Sequence, residues 1–320
     1  MEKIIILSLS SFLFTFIGLK FFKNYLTKNK ILDIPNKRSS HINPTPKGGG
    51  WVIVSCILGI IFILDPYDKI PAIITILSLA TLSWLNDLKN INAFIRLFFQ
   101  IFSISIYFFY FYFSGFYDQN QLIHIFFLIF IFTWFINIFN FMDGIDGISS
   151  IMSISIFLGI IIAHILNNSE YFPIFEILIM FSCFAFLFWN WNPAKIFLGD
   201  VGSIPLGFLL AWLLYGLVVD GFYIQVIILP LYYIIDATLT ITIRLFKSQN
   251  IWESHRDHFY QKAVQGGLSH DRVSLTIAFL NIFLIVFAAL ALWFPVISLS
   301  ASIISTIFTI VYFGTRKNVG

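Results

Sequence analysis

The sequence predicts an all-α, polytopic integral membrane helix bundle of ten or eleven transmembrane helices with its amino terminus outside. Three observations carry that expectation. Of 320 residues, 59% are hydrophobic and only 11% charged, against roughly 45–50% and about 25% in a soluble domain. Apolar runs near bilayer-crossing length, about 20 residues, recur from end to end. The scarce positive charges fall almost entirely on one side of the threading that these runs impose.

The first run, 4–22, follows Lys3 and precedes Lys23, Lys28 and Lys30 with no small-residue cleavage site. It therefore reads as a retained anchor whose basic flank is held inside. Further runs follow at 50–64, 71–85, 94–113, 122–139, 148–166, 173–189, 204–219, 222–243, 274–293 and 296–313. The second and third are short for a crossing, and the last two are parted mainly by Pro295, hence ten or eleven. The chain reads as one domain, 1–320, with inner loops at about 23–49, 86–93, 140–147, 190–203 and 244–273. Cys56 and Cys183 sit inside apolar runs and read as buried hydrophobes with no disulfide or metal framework.

Alternation of the spans assigns 17 of the 19 Lys and Arg to the inner side, leaving Lys3 and Lys69 outside. Against these stand nine acidic residues inside (Asp33, Asp87, Asp143, Asp146, Asp200, Asp236, Glu253, Asp257 and Asp271) and seven outside. The bland total of +3 thus conceals a basic inner face and an acidic outer one. The outer loops are short, so the working surface is expected on the inner face.

Five polar clusters lie there. Asp33 to His41 leads into Lys47-Gly-Gly-Gly50, where glycine amides suit either an anion cradle or a flexible loop opening a helix; no Lys-Ser/Thr follows, so it is not a Walker loop. Asn86-Asp87 ends the third run. In Asn137-Ile-Phe-Asn-Phe-Met-Asp-Gly-Ile-Asp-Gly147 the residues Asn137, Asn140, Asp143 and Asp146 recur every third position, a stripe of neighbours if the fifth span stays helical. Adjacent carboxylates near lipid call for a compensating cation or proton. Asp200, between Gly199 and Gly202, opens the eighth span, with Lys195 nearby as a counter-charge. His255-Arg-Asp-His-Phe-Tyr-Gln261 continues to His270; two histidines beside Arg256 suit phosphate better than zinc. Asp236, inside the ninth span, is an intramembrane acid that pairs with Arg244 or an inner-face lysine, or supports the site from behind. Oxygen-rich ligands suit Mg²⁺ with substrate phosphates, so chemistry on a phosphorylated substrate at a membrane surface is the expectation.

At these residues the chain resembles the polyprenyl-phosphate N-acetylhexosamine-1-phosphate transferases. The resemblance runs from Asp33 to His270, and Asn-Phe-Met-Asp-Gly-Ile-Asp-Gly at 140–147 and Phe-Leu-Gly-Asp-Val-Gly-Ser at 197–203 are its most specific parts. It implies a bundle with a cytoplasm-facing active-site cleft in the cell inner membrane. It also implies transfer of a sugar-1-phosphate from a UDP-sugar to undecaprenyl or another polyprenyl phosphate, with release of UMP and use of Mg²⁺, or of Mn²⁺ in its place. By position, Asp200 resembles the metal ligand, and Asn140, Asp143 and Asp146 match a stretch contacting nucleotide and diphosphate. His255 and His258 fall in the histidine motif, and Lys47 aligns with a basic position before the second span. Asp87, Asp143, Asp146, His255 and His258 are thus the expected catalytic residues, Lys47, Asn140, Lys195 and Arg256 the expected substrate contacts. Asn86 stands where the family usually has a first aspartate and cannot serve as a carboxylate base. The compact His-Arg-Asp-His-Phe-Tyr-Gln motif is closer to the O-antigen and polysaccharide initiators than to the phospho-N-acetylmuramoyl-pentapeptide transferase, which is the alternative. Nucleic acid has no place in the implied chemistry, and a homodimer is compatible with it.

Rivals make different expectations. A secondary transporter would show repeated halves and ionisable groups near the midplane, whereas here the candidates gather at helix ends. A lipid phosphatase or CDP-alcohol transferase is the next rival, and the latter's longer aspartate spacing is missing. Asn86 is the sole hint of an inactive homologue.

Overall fold

The computed structural model describes residues 2–35, 40–41, 43–64, 69–89, 91–115, 121–167, 171–250 and 255–316. Lys37, Arg38, Glu253 and Lys317, counted inside above, and Asp65, Asp68, Asp118 and Glu170, counted outside, lie outside these described residues.

The chain is a helix bundle. Helix α1 (Glu2–Lys28) is followed by a two-residue antiparallel ribbon, β1 (Leu32–Asp33) and β2 (Thr45–Pro46), and then by α2 (Gly50–Leu64), α3 (Ile70–Lys89), α4 (Ala93–Phe113) and α5 (Leu122–Phe141). The remainder is α6 (Ile148–Leu166), α7 (Ile174–Asn190), α8 (Asp200–Val219), α9 (Tyr223–Ile228), α10 (Leu231–Phe246), α11 (Phe259–Gln265), α12 (His270–Leu290) and α13 (Pro295–Gly314). Eight of these are long and apolar enough to cross a bilayer, and α2 and α7 are shorter apolar helices. The multi-pass membrane architecture is therefore as expected.

Three details differ. The third run continues to Lys89, which puts Asn86 and Asp87 on α3 itself. The run 222–243 is two helices, because Pro230 has no N–H to donate at that turn, and α10 restarts behind it. Helix α11, inside the loop after α10, had no apolar run to announce it. Pro295 stands at the first position of α13, where a missing N–H costs nothing, so the last two spans are separate helices.

Helices α6 and α8 are the most buried of the long ones. Around α8 lie α3 and α5, while α1 packs on α7 and α12 lies between α6 and α13. Aromatic edges fill the centre: Phe108 meets Phe132 at 4.9 Å and Tyr107 meets Phe208 at 5.6 Å between ring centroids. Where apolar surface faces lipid, association relies on close packing and hydrogen bonds. Thr15 and Ser182 share a hydrogen bond of 2.8 Å and Ser11 donates to the Leu178 carbonyl at 2.7 Å, joining α1 to α7. The outward faces keep large apolar side chains exposed, among them Phe98, Phe102, Phe126 and Phe130. Both cysteines are buried and free.

The closest approach is between Gly50 and Gly202, at the start of α2 and of α8. A Cβ on Gly50 would lie 2.1 Å from the Gly202 Cα, which is backbone and cannot yield. Gly50→Ala is expected to lower stability by about 3 kcal/mol, the upper range for overpacking. Gly59→Ala on the same helix, where a new Cβ meets nothing within 4 Å, should be neutral or slightly stabilising. Thermal unfolding of the two variants in detergent micelles checks the contrast.

Candidate functional site

The inner ends of α3, α5 and α8 meet the ribbon and the loops 142–147 and 191–199 around a cavity of about 660 Å³. Asp33, Lys47, Asn140, Asp143, Asp146 and Asp200 line it, with His41, Asn190, Gln261 and His270.

Asp200 is the first residue of α8, after Gly199 at φ 75°. Its Oδ2 accepts from Asn86 Nδ2 at 2.6 Å and from the Arg96 guanidinium at 3.3 Å; its Oδ1 accepts from Asn140 Nδ2 at 3.1 Å. Asn140 also donates to the Ser203 hydroxyl at 2.7 Å. Asn86 is in turn held by the Ile91 N–H at 2.8 Å. Three helices therefore aim donors at one carboxylate, which stays part-exposed toward the cavity.

Asp87 lies behind this arrangement, its side chain 1% exposed. It accepts the N–H groups of Asp200 and Val201 at 3.2 and 3.0 Å, capping α8 from a different helix where unpaired amides and the helix dipole favour a negative charge. Lys47 Nζ lies 2.7 Å from it. Burial alone would depress the Lys47 ammonium, but Asp200 and Asp87, with Asp33 further off, hold its pKa well above the usual lysine value. Lys47 therefore remains a fixed cation on the cavity wall.

Gly48, Gly49 and Gly50 are not an anion cradle. Their amides donate to the carbonyls of Phe197 and Leu198 at 3.2, 2.9 and 2.9 Å, and Lys47 pairs with Phe197 as an isolated parallel bridge. The glycines let two backbones touch.

The expected stripe on α5 holds for two members. Asn137 donates to Gln100 on α4 at 2.8 Å and Asn140 reaches Asp200, but α5 ends at Phe141, so Asp143 and Asp146 sit on the following loop. Burial pushes the Asp143 carboxyl up to about 7, with Asp200 and Asp87 adding like-charge repulsion. Asp146 accepts the Ala194 N–H at 3.1 Å and lies 3.4 Å from His270 Nδ1.

The remaining expected residues lie apart from the cavity lining. Lys195 is exposed, its Nζ 5.7 Å over the Trp189 ring. His255 and His258 stack at 5.1 Å, and the Arg256 carbonyl accepts from Gln265 at 2.7 Å. His255 is pushed down to about 4 by burial, with His258 and Arg244 adding positive charge nearby, so it is neutral at pH 7. His258 is buried against Asp236, which is fully enclosed. Asp236 accepts from Tyr232 at 3.0 Å, Thr240 at 3.3 Å and the amides of Phe259 and Tyr260 at 3.0 and 3.2 Å, and its Oδ1 lies 3.2 Å from His258 Nδ1. Its partners are therefore the histidine and the start of α11; Arg244 pairs with Asp257 instead.

Sequence reasoning did not single out Arg96, Ser203, Gln261 or Asn190. Arg96 alone carried a signal, a cation close after Asn86-Asp87; the others become visible only when the loops meet.

With this geometry in place, the similarity to known proteins can be read residue by residue. Residues 69–218 match glycosyl transferase family 4. This family segment holds Asp87, Asn140, Asp143, Asp146 and Asp200, while Lys47 and the 255–270 cluster lie outside it. The chain is 35% identical over 134 residues to a protein of Bacillus subtilis (strain 168) named probable undecaprenyl-phosphate N-acetylglucosaminyl 1-phosphate transferase, covering 40% of this chain and 37% of that one. It is 60% identical over 35 residues to a phospho-N-acetylmuramoyl-pentapeptide-transferase of Streptomyces griseus subsp. griseus, covering 11% and 10%. A protein of the same name from Saccharopolyspora erythraea is 41% identical over 69 residues, 22% and 19%. The matches thus span well under two thirds of these relatives' lengths. The family 4 match and the first relative support the polyprenyl-phosphate hexosamine-1-phosphate transferase family that the motifs resemble.

Asp236→Ala leaves four donors and His258 facing an empty buried site, so a loss of about 3 kcal/mol is expected. Faster hydrogen exchange at the Phe259 and Tyr260 amides is the local signature; unchanged exchange there would contradict the capping role.

Proposed function

We propose that this protein transfers an N-acetylhexosamine-type sugar-1-phosphate from a UDP-sugar to undecaprenyl or another polyprenyl phosphate, releasing UMP, at the cytoplasmic face of the cell inner membrane. Such a step would open the synthesis of a cell-surface polysaccharide. One observation carries the reading: two carboxylates, Asp143 and Asp200, and one fixed cation, Lys47, face a single cavity at the end of a membrane bundle.

The donor set fits Mg²⁺, or Mn²⁺ in its place. It consists of hard carboxylate and amide oxygens, and among the described residues no cluster of three or more His, Cys, Asp or Glu side chains could hold a metal alone. That is the pattern of an ion taking one or two carboxylates and completing its shell with substrate phosphates and water. Asp200 and Asp143 would hold it. When bound, the ion would stabilise negative charge on the transferring and leaving phosphates.

The chain's own groups do the remaining work. Lys47 binds phosphate oxygens as a cation that cannot neutralise near pH 7, and Asn86, Arg96 and Asn140 hold the Asp200 carboxylate in one orientation. The acceptor phosphate, with a second pKa of about 6, is largely dianionic at neutral pH. Its oxygen forms a bond to the β-phosphorus of the UDP-sugar, the bond from that phosphorus to the bridging oxygen breaks, and the electron pair leaves with UMP. Asp87 is walled off by Lys47 and the amides of α8, which favours this direct transfer over a phospho-sugar intermediate on Asp87. The names of the actinobacterial relatives keep a second donor, UDP-N-acetylmuramoyl-pentapeptide, within the same chemistry.

The expected result for purified protein given UDP-sugars, undecaprenyl phosphate and Mg²⁺ is lipid-dependent release of UMP. Asp200→Asn should lower kcat by about 10²–10³, the usual effect of removing one charge-stabilising group, and EDTA should abolish turnover. Absence of lipid-dependent UMP with every donor would refute the reading.

A further inference from the structure

The cavity has a second end, away from Asp200. The loop from Asn140 to Gly147 runs between the two: Asn140 touches Asp200, and Asp146 touches His270. Most polar groups at this end are already engaged. Asn190 accepts the Gly147 N–H at 2.9 Å and donates to the Ile196 carbonyl at 3.0 Å. Asp146 is taken by Ala194 and His270, and Ser274 donates to its backbone carbonyl at 2.7 Å.

Two polar groups remain. Gln261, on α11, lines the cavity and is 9% exposed, and its Oε1 is buried with no hydrogen-bond partner among the described residues. Native interiors rarely leave such an acceptor unpaired. Its amide nitrogen lies 3.0 Å from the position that a Cβ on Gly144 would take, so the carboxamide stands directly against the cavity loop. His270 also lines the cavity. Its Nδ1 accepts the Asp146 backbone N–H at 3.4 Å, which assigns the proton of the neutral ring to Nε2, and Nε2 has no partner among the described residues. An acceptor and a donor, both neutral and both held by their surroundings, thus remain on one wall.

We propose that Gln261 and His270 form a recognition subsite for an amide group of the bound nucleotide sugar, Gln261 accepting its N–H and His270 Nε2 donating to its carbonyl oxygen. This rests on the UDP-sugar reading given above and extends it to specificity. Charged phosphate would leave the Gln261 oxygen unpaired, whereas an amide satisfies both groups together. A UDP-N-acetylhexosamine offers that chemistry twice, in the uracil imide and in the acetamido group of the sugar. A site built on hydrogen bonds to such a group discriminates strongly against ligands that lack it.

The test is calorimetric titration of the full-length protein in detergent micelles, with Mg²⁺, using UDP, UDP-N-acetylglucosamine and UDP-glucose. Gln261→Leu is expected to weaken binding about tenfold, the cost of one neutral hydrogen bond, and His270→Leu similarly. His270→Gln, which keeps a donor near the Nε2 position, should recover most of the loss. An equal loss for UDP and UDP-N-acetylglucosamine identifies uracil as the occupant. A loss for UDP-N-acetylglucosamine with UDP unchanged, together with loss of the preference over UDP-glucose, identifies the acetamido group. A loss shared by both sugar nucleotides but not UDP overturns the amide assignment, and unchanged affinity for all three overturns the subsite. Failure of the unaltered protein to bind UDP overturns the proposed function, and the subsite with it. Thermal unfolding midpoints accompany each titration, and Gln261→Met, closer in volume, replaces the leucine variant if its midpoint falls.

Discussion

The inner end of the bundle depends on a carboxylate that substrate does not reach. Asp87 joins three pieces of chain: its own helix α3, the two leading amides of α8, and Lys47 on the strand-like segment before α2. A buried carboxylate is costly unless charge and hydrogen bonds compensate it, and here both are supplied by the elements that must converge. The N-terminus of α8 needs an acceptor, Lys47 needs an anion, and Asp87 needs donors. Each requirement is met by the other two, so Asp200, one residue into α8, is presented at a defined place and angle.

A second carboxylate plays the corresponding part on the far side. Asp236 ties α10 to α11 through two backbone amides and one imidazole. The His255 to Gln261 stretch thereby acquires its shape from a residue in the neighbouring helix. The histidines of this stretch pack beneath the cavity wall, and the glutamine three residues after His258 reaches the wall itself. Composition and spacing treat these side chains alike; their burial separates them.

The membrane class, the helix count to within one, and the gathering of Asp87, Asn140, Asp143 and Asp200 were legible because they rest on local rules: apolar run length, charge asymmetry and acids at helix ends. The break at Pro230 had a signal in the proline itself, overridden by an uninterrupted apolar run on either side. The role of Gly48 to Gly50 was not legible, since glycine permits close approach by an anion or by another backbone, and the partner, Phe197-Leu198, is almost 150 residues away. Asn86 looked like a defect against the family pattern. In three dimensions it is an amide donor to Asp200, a function that a carboxylate at the same place could perform only when protonated.

The shortness of α2 sets the depth of the site. Its 15 residues rise about 22 Å at 1.5 Å each, against a hydrocarbon core of about 30 Å. With its outer end at the outer boundary of that core, its inner end, and with it Lys47 and the glycine seam, lies recessed by roughly 8 Å below the inner boundary. Phosphates drawn to Lys47 are then surrounded by protein and lipid, in a medium where ionic screening is weak and each charge acts at longer range. The recess also brings the reacting groups toward the level of the lipid chains, so that an acceptor anchored in the bilayer need not leave it to reach them.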